Sequence, residues 1–148
     1  MLFKQMSQKP DKAVIFDMDG VLTDSEPLIN EASVKMFAEF GVQVQPEDFY
    51  PYVGTGEKHY IGGVAEKYGM TIDLFEAKMR IYEIYLKLAP RKLRSFPEAV
   101  ELVHRCRDQG WKIGVASSAD MIKIEANMTP VSYTHLRAHE TREDVVFR

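Results

Sequence analysis

The chain has 148 residues, a formal net charge of −3, and 45% hydrophobic and 28% charged side chains, which is typical of a folded globular protein. Basic residues are not in excess, which argues against nucleic acid or an anionic membrane surface as a partner. Cys106 is the single cysteine, so an internal disulfide is excluded and a reducing compartment is favoured. Residues 1–12 lack the apolar run of a signal peptide, and no stretch approaches the roughly 18 apolar residues of a membrane span. We therefore expect a cytoplasmic protein.

The first predicted element is a strand at residues 13–16. Its four consecutive apolar residues are typical of a strand buried on both faces of a parallel sheet. Residues 26–40 predict an amphipathic helix that stops at Gly41, because apolar residues recur there at helical spacing. These apolar residues are Ile29, Ala32, Met36 and Phe40.

Three further helical segments follow. Residues 45–49 predict a turn into a short helix, and residues 57–68 predict a helix weakened by two internal glycines. Asp73 is expected to cap a stronger helix that Pro90 ends. The apolar stripe of this helix comprises Leu74, Ala77, Ile81, Ile84, Tyr85 and Leu88. The region 26–90 is thus predicted to be helical throughout, with no strand inside it.

After a basic linker at residues 91–94, the pattern predicts one more helix and one more strand. Pro97 opens the helix and Gly110 marks its end, and residues 111–116 read as a second buried strand halted by two serines. The predicted apolar face of the helix comprises Ala99, Leu102, Val103 and Cys106. The order of elements predicts an α/β fold, with a Rossmann-like parallel sheet core and an α-helical cap inserted after the first strand.

Candidate chemical groups lie where the two predicted strands end. Ligands gather beyond the carboxyl ends of parallel strands, where Asp17 and Ser117 are both expected. A carboxylate can attack phosphorus and form an aspartyl-phosphate, which makes Asp17 the candidate nucleophile. Asp19 is near enough to act as general acid and base. Gly20 permits a tight turn, so that backbone amides such as that of Met18 can contact phosphoryl oxygens.

The same loop predicts a metal cofactor. Two carboxylates facing a phosphate would repel it, so a divalent cation is needed between them. Carboxylate and phosphate oxygens are the ligands that Mg²⁺ prefers. The sequence therefore predicts Mg²⁺ bound by Asp17 and Asp19, and a small phosphorylated metabolite as the ligand. The alternative is that both acids are only turn residues.

The string FDMDGVLTDS at residues 16–25, directly after an apolar strand, resembles motif I of the haloacid dehalogenase-like (HAD) superfamily. The helical cap resembles the β-phosphoglucomutase and phosphoglycolate phosphatase subgroup, and the similarity extends over residues 13–128. The resemblance implies that Asp17 is nucleophile and metal ligand, and that Asp19 is the acid-base residue with a backbone contact to the metal. It also implies that Ser117, beside Ser118, holds a phosphoryl oxygen. A helix N-terminal cap is the alternative role for Ser117, and the two roles are compatible.

Residues 53–58 resemble the family's substrate-specificity loop, which closes over the site. Its candidate members are Thr55, Gly56, Glu57 and Lys58. Lys58 could contact a substrate phosphate or carboxylate, although a lysine at a helix start is more often a solvated surface charge. Mutases of the subgroup usually carry an arginine near this place. Since this chain has Gly56 and Glu57 there, the resemblance favours a phosphatase.

Two further motifs that the family requires cannot be placed. Motif III supplies a lysine or arginine, but Lys123 is the only lysine after Ser118, and it lies too close to motif II, on the expected following helix. Motif IV supplies acidic residues after a strand, whereas Glu143 and Asp144 precede an apolar run. We therefore expect this chain to lack part of its active site.

Residues 129–148 do not resemble the family and instead resemble translated adapter or vector sequence. His135 and His139 with Glu140 are spaced like possible zinc ligands. The glutamate does not stand where a metallopeptidase motif has it, however, and there is no third ligand. The predicted domains are thus a partial core at residues 1–24 and 91–128, a cap at residues 25–90, and an unrelated tail. Two strands rarely form a stable sheet alone, so we expect a truncated, poorly stable and nearly inactive form of an active parent.

The leading prediction is Mg²⁺-dependent hydrolysis of a small phosphomonoester through an aspartyl-phosphate. A phosphomutase is the alternative within the same fold, and a non-catalytic binding module that keeps the motif I loop is the alternative from another class. A dehalogenase is disfavoured, because that branch of the family generally lacks the second aspartate, Asp19. The identity of the substrate and the oligomeric state stay open.

Overall fold

The computed structural model describes residues 12–128, apart from the side chain of Glu57. In this range the structure contains four strands, five α-helices and a 3-10 helix, Pro46–Tyr52. The strands are β1 (Ala13–Asp17), β2 (Thr23–Asp24), β3 (Arg94–Ser95) and β4 (Lys112–Ala116). The α-helices are α1 (Glu26–Glu39), α2 (Glu57–Lys67), α3 (Leu74–Lys92), α4 (Pro97–Asp108) and α5 (Met121–Met128).

The two longer strands form a parallel pair. Ala13 of β1 lies opposite Lys112 of β4, and Asp17 lies opposite Ala116. The chain passes from β1 to β4 through the helical cap and α4, so the pair belongs to one βαβ crossover. The predicted α/β class and the convergence of the two strand ends are therefore confirmed.

The prediction that β1 is buried on both faces is wrong for the described part of the chain. Phe16 is buried, whereas Ile15 is 70% exposed. Successive side chains of a strand point to opposite faces. Phe16 joins the core cluster together with Val103 of α4 and Ile124 of α5, which covers one face of the strand pair. The face that carries Ile15 is largely open in residues 12–128.

The cap is helical, as predicted, and contains no strand between residues 26 and 90. It is built mainly by packing of α1 on α3. The buried residues of these helices include Ala32, Met36 and Phe37 of α1 and Ala77, Ile81, Ile84 and Tyr85 of α3. The predicted cap of α3 is confirmed, since a side-chain oxygen of Asp73 accepts N–H bonds from Phe75 and Glu76, each at 2.9 Å.

Some predicted details of the helices are wrong. Helix α3 continues through Pro90 to Lys92, and the Leu93 N–H still bonds to the Ala89 carbonyl at 3.0 Å. A proline in the last turn removes one N–H donor without ending the helix at once. Phe40 and Leu102 are 48% and 47% exposed, although both were predicted to lie on apolar faces. Phe40 follows the last helical turn of α1, and the buried face of α4 is formed by Val103 and Cys106 instead.

A short antiparallel ribbon that the sequence did not predict joins the core to the cap. Thr23 of β2 pairs with Ser95 of β3, and Asp24 pairs with Arg94. The Phe96 N–H adds a bond to the Leu22 carbonyl at 3.3 Å. The ribbon therefore holds side by side the two segments through which the chain enters and leaves the cap.

Within residues 12–128, none of the helices combines the length and the apolar character that a membrane span requires.

Candidate active site

The loop after β1 is closed by its own backbone. The N–H groups of Leu22 and Thr23 bond to the Met18 carbonyl at 2.9 and 3.0 Å, and the Gly20 N–H bonds to the Thr23 carbonyl at 2.9 Å. Gly20 has a φ of 75°, in the left-handed region that favours glycine. The predicted tight turn at Gly20 is therefore present.

Asp17 ends β1 and is exposed at the edge of the strand pair. Its Oδ1 accepts the Met18 N–H at 2.7 Å. The amides of Met18 and Gly20 thus already have partners inside the loop, and a phosphoryl group would have to replace those partners. Their role in binding phosphate stays a prediction.

The carboxylate of Asp19 is held much more closely than that of Asp17. Its Oδ1 accepts hydrogen bonds from the Ser25 hydroxyl and from the Asn127 side-chain N–H at 3.3 Å, and it forms an ion pair with the Lys123 ammonium at 3.0 Å. Among the described residues, every donor to this carboxylate contacts Oδ1. Asp19 is therefore fixed from two directions, by the segment before α1 and by helix α5.

A second set of contacts holds these partners in place. Asn127 is fully buried, donates to the Thr23 hydroxyl at 3.3 Å, and accepts a hydrogen bond from the Tyr85 hydroxyl. Burial, and next the charge of Asp19, raise the pKa of the Tyr85 phenol, so it stays protonated and can donate. The Lys123 ammonium lies 6.0 Å from the centroid of the Tyr85 ring. We call Asp19, Ser25, Thr23, Tyr85, Lys123 and Asn127 the Asp19 network.

Ser117 follows β4 and is buried. Its hydroxyl oxygen accepts the Ala119 N–H at 3.1 Å, in the turn that precedes α5. The Asp120 carbonyl accepts the first helical N–H bonds of α5, from Lys123 and Ile124. The Ser117 hydroxyl thus shapes the turn before the helix, and its hydrogen remains available to a phosphoryl oxygen.

A cavity of about 340 Å³ lies between the strand ends and the cap. Asp19, Ser118 and Lys123 line it from the core. The cap contributes aromatic side chains and a further cation, namely Tyr52, Tyr60, Tyr82 and Lys78. Its size is typical of a site for a small molecule, and its wall carries both signs of charge. Asp19 therefore forms part of the cavity wall, together with residues of the cap.

A family model for haloacid dehalogenase-like hydrolases matches residues 12–140. The chain belongs to this family of hydrolases. The resemblance stated from motif I is therefore confirmed. The match ends inside residues 129–148, and the assignment of that segment as an unrelated tail stays a prediction.

Relatives of this HAD chain include "Protein SUPPRESSOR OF QUENCHING 1, chloroplastic" of Arabidopsis thaliana, 51% identical over 119 residues, which are 78% of this chain and 11% of the relative. The 6-phosphogluconate phosphatase of Escherichia coli is 36% identical over 91 residues, 61% of this chain and 39% of the enzyme. The structure of CbbY from Rhodobacter sphaeroides in complex with phosphate shares the fold, with a TM-score of 0.68 and 21% identity over 80% of this chain and 56% of that chain. Phosphatases are thus among the named relatives. The chain spans less than two thirds of each relative.

The predicted specificity loop of this HAD chain reaches the cavity through Val53 and two glycines. Gly54 and Gly56 line the wall and have φ values of 77° and 88°. The Thr55 hydroxyl donates to the Tyr52 carbonyl at 2.7 Å, which closes the loop. Lys58 is exposed on α2 and is not part of the described cavity wall. The side chain of Glu57 lies outside the described residues.

The donors for a metal in this HAD site are few. Within residues 12–128 no group of three or more His, Cys, Asp or Glu side chains could hold an ion. Asp17 offers its carboxylate and Asp19 its backbone carbonyl, whereas the Asp19 carboxylate is already paired with Lys123. Mg²⁺ is commonly bound by one or two carboxylates together with substrate phosphate and water. The residues present therefore fit Mg²⁺ bound together with a phosphorylated ligand.

Sequence reasoning missed most of the Asp19 network. Lys123 was considered only as a motif III residue, and Tyr85 only as part of an apolar stripe. Asn127 follows Lys123 by four residues on α5. This spacing puts two polar side chains on the same face of the helix, and it was the only local indication that they act together. The predictions for His135, His139, Glu140, Glu143 and Asp144 lie outside the described residues.

Proposed function

We propose that this site hydrolyses a small phosphomonoester, with Mg²⁺ and through an aspartyl-phosphate on Asp17. The observation that carries the proposal is the register of β1 and β4, which brings Asp17 and Ser117 to one edge of the strand pair. Asp19 and Ser118, from the same two loops, line the cavity, whereas Asp17 and Ser117 do not. The named phosphatase among the relatives supports a phosphorylated metabolite as substrate. We propose a cytoplasmic location, although one relative is named chloroplastic; cell fractionation would distinguish the two compartments.

The proposed reaction has two displacements. A carboxylate oxygen of Asp17 attacks phosphorus, the bond to the leaving oxygen breaks, and Asp19 gives that oxygen its proton. Asp19 then takes a proton from water, which attacks the aspartyl-phosphate and releases inorganic phosphate. Ser117 and Ser118 hold phosphoryl oxygens, and residues 55–58 close over the substrate. The Asp17 carboxylate and the Asp19 backbone carbonyl would hold Mg²⁺, which would offset the negative charge of the phosphate.

A non-catalytic binding module is the second candidate function. It is favoured by the exposure of Ile15 on the open face of the β1 and β4 pair. A partner protein could cover this face without any chemistry at Asp17. Tight binding of a partner that Asp17→Asn leaves unchanged would support this candidate.

The test uses the 148-residue chain with Mg²⁺ and beryllium fluoride, which mimics a phosphoryl group on a carboxylate. We expect fluorine NMR signals of bound fluoride that depend on Mg²⁺ and disappear in Asp17→Asn. Asp108→Asn is the matched control, because Asp108 is exposed at the end of α4. Phosphate release from p-nitrophenyl phosphate is expected to be slow, since no motif III cation or motif IV acid can be placed. The proposal fails if fluoride binding and phosphate release are the same in Asp17→Asn and in the unaltered chain.

A further inference from the structure

Lys123 is an unusual residue to find inside the molecule. Its exposure is 8%, and lysine is almost never buried without a partner. Removing the Lys123 ammonium from water is unfavourable, and its attraction to the partly exposed Asp19 carboxylate often only offsets that loss. The pair of Lys123 with Asp19 is therefore weak evidence for stability, and a role at the site explains it better.

The geometry of the pair indicates what that role is. Lys123 and Asn127 lie one turn apart on α5, and both reach Oδ1 of Asp19, where they meet the Ser25 hydroxyl. Three groups that converge on one carboxylate oxygen restrict rotation of the carboxylate about the Cβ–Cγ bond of Asp19. Asp19 also lines the cavity, and none of these three contacts uses its second oxygen, Oδ2.

Asn127 is itself oriented by the cap. Its side-chain oxygen accepts the hydrogen bond of Tyr85 on α3, and its N–H group is thereby directed toward Asp19 and Thr23. The Tyr85 ring also lies beside the Lys123 ammonium, at 6.0 Å from centroid to nitrogen. One cap residue thus contacts both residues of α5 that hold Asp19.

We propose that Lys123 and Asn127 are positioning residues that fix Oδ1 of Asp19 and present Oδ2 to the cavity, with Tyr85 holding Asn127. The inference rests on the proposed function, in which Asp19 exchanges a proton with the substrate oxygen. A general acid must lie within hydrogen-bond reach of the atom that it serves, and a misplacement of about 1 Å lowers a rate by roughly 100-fold. Positioning of Asp19 therefore acts on turnover and not on ground-state binding.

The first experiment measures the carbon-13 NMR chemical shift of the Asp19 carboxylate. Aspartate labelled with carbon-13 at the carboxyl group is incorporated into the full chain, and the Asp19 signal is the one that Asp19→Asn removes. We expect Lys123→Met to shift this signal and Lys112→Met, at an exposed lysine of β4, to leave it in place. If Lys123→Met does not fold, Tyr85→Phe removes one hydroxyl with little change of volume and is expected to shift the same signal. An unshifted Asp19 signal in the folded variant overturns the proposal.

The second experiment separates positioning from structure by the kinetics of phosphate release from an alkyl phosphate, whose leaving oxygen needs a proton. We expect Lys123→Met to lower kcat by roughly 100-fold with KM unchanged, and Lys123→Arg to recover much of the loss. An unchanged kcat in Lys123→Met would overturn the inference. If neither beryllium fluoride binding nor phosphate release by the unaltered chain depends on Asp17, while the Asp19 signal still responds to Lys123→Met, the proposed function fails and the positioning of Asp19 stands.

Discussion

Two neighbouring glycines of α2 differ in what surrounds them. A Cβ added to Gly63 would lie 2.5 Å from Cε1 and Cζ of Tyr52, whereas a Cβ on Gly62 would meet Leu74 Cδ2 at 3.6 Å. The first distance is a clash and the second an ordinary contact. Because Tyr52 lines the cavity, Gly63 allows α2 to pack against the wall of the site.

We expect Gly62→Ala and Gly63→Ala to change stability in opposite directions. Alanine in a helix interior is favoured over glycine by up to about 1 kcal/mol, so Gly62→Ala should stabilise the chain. Gly63→Ala should destabilise it by about 1 kcal/mol or more, since the Tyr52 ring must move. Urea unfolding of the two variants measures the difference, and an equal gain in both would contradict the contact with Tyr52.

At the scale of residues, functional groups that belong to local sequence patterns could be predicted. Asp17 and Ser117 are predicted because each comes directly after an apolar strand, and Asp19 because it lies two residues beyond Asp17. The contact of Lys123 with Asp19 depends on how α5 packs against β1 and α3, and no local sequence pattern predicts that packing. Tyr85 shows most clearly what local patterns do not predict. Its ring lies on the apolar face of α3 as predicted, whereas the hydrogen bond of its hydroxyl was not predicted.

At the scale of elements, one carboxylate joins the 3-10 helix to the end of α2. Asp48 forms an ion pair with Lys67 and accepts hydrogen bonds from the Tyr68 hydroxyl at 2.6 Å and the Gln45 N–H at 2.8 Å. The bond from Lys67, followed by those from Tyr68 and Gln45, lowers the pKa of Asp48 from 3.8 to about 2. A pKa that is lower in the folded state favours folding whenever the carboxylate is ionised.

We therefore expect Asp48 to stabilise the fold above pH 3.8 and to lose this effect as the pH falls through about 2. The measurement is the difference in Tm between the unaltered chain and Asp48→Asn, followed from neutral pH downward. The difference should be largest near neutral pH and shrink in acid. A difference that is constant or grows in acid would show that the bonds do not depend on the charge of Asp48.

The sequence predicted the type and order of the elements better than their ends. Helical periodicity identified the cap correctly, because long amphipathic patterns are strong signals. Pro90 predicts the end of α3, yet the helix continues for about half a turn beyond it, and Leu93 then packs into the core. The ribbon of β2 and β3 was missed because two-residue strands have no periodicity, and they pair only when the cap brings their ends together.

At the scale of the whole molecule, the strand pair is the exposed part of the described core. Within residues 12–128, β1 and β4 pair only with each other, and Ile15 is 70% exposed on their open face. Unpaired edges and exposed apolar side chains on short sheets promote association between chains. We therefore expect this surface to promote association of the chain with other copies of itself in solution.

We expect the purified chain to associate as its concentration rises, and Ile15→Lys to reduce the association. Phe75→Lys is the matched control, because Phe75 is 68% exposed but lies on α3 of the cap. Sedimentation velocity over a range of concentrations gives the mass distribution of each variant. A monomeric unaltered chain, or an equal effect of the two substitutions, would show that the open face does not drive association.

The ribbon of β2 and β3 also has a consequence for the evolution and engineering of the protein. Because Asp24 and Arg94 are paired, the cap leaves the core and returns to it at a single point. A segment with adjacent ends can be exchanged as a cassette, and residues 26–92 of a relative could be grafted here without a linker. Such a graft must also supply a hydroxyl at the position of Tyr85, because the core residue Asn127 would otherwise lose its partner. The graft would then exchange the cap side of the cavity while Asp17 and Asp19 stay where they are.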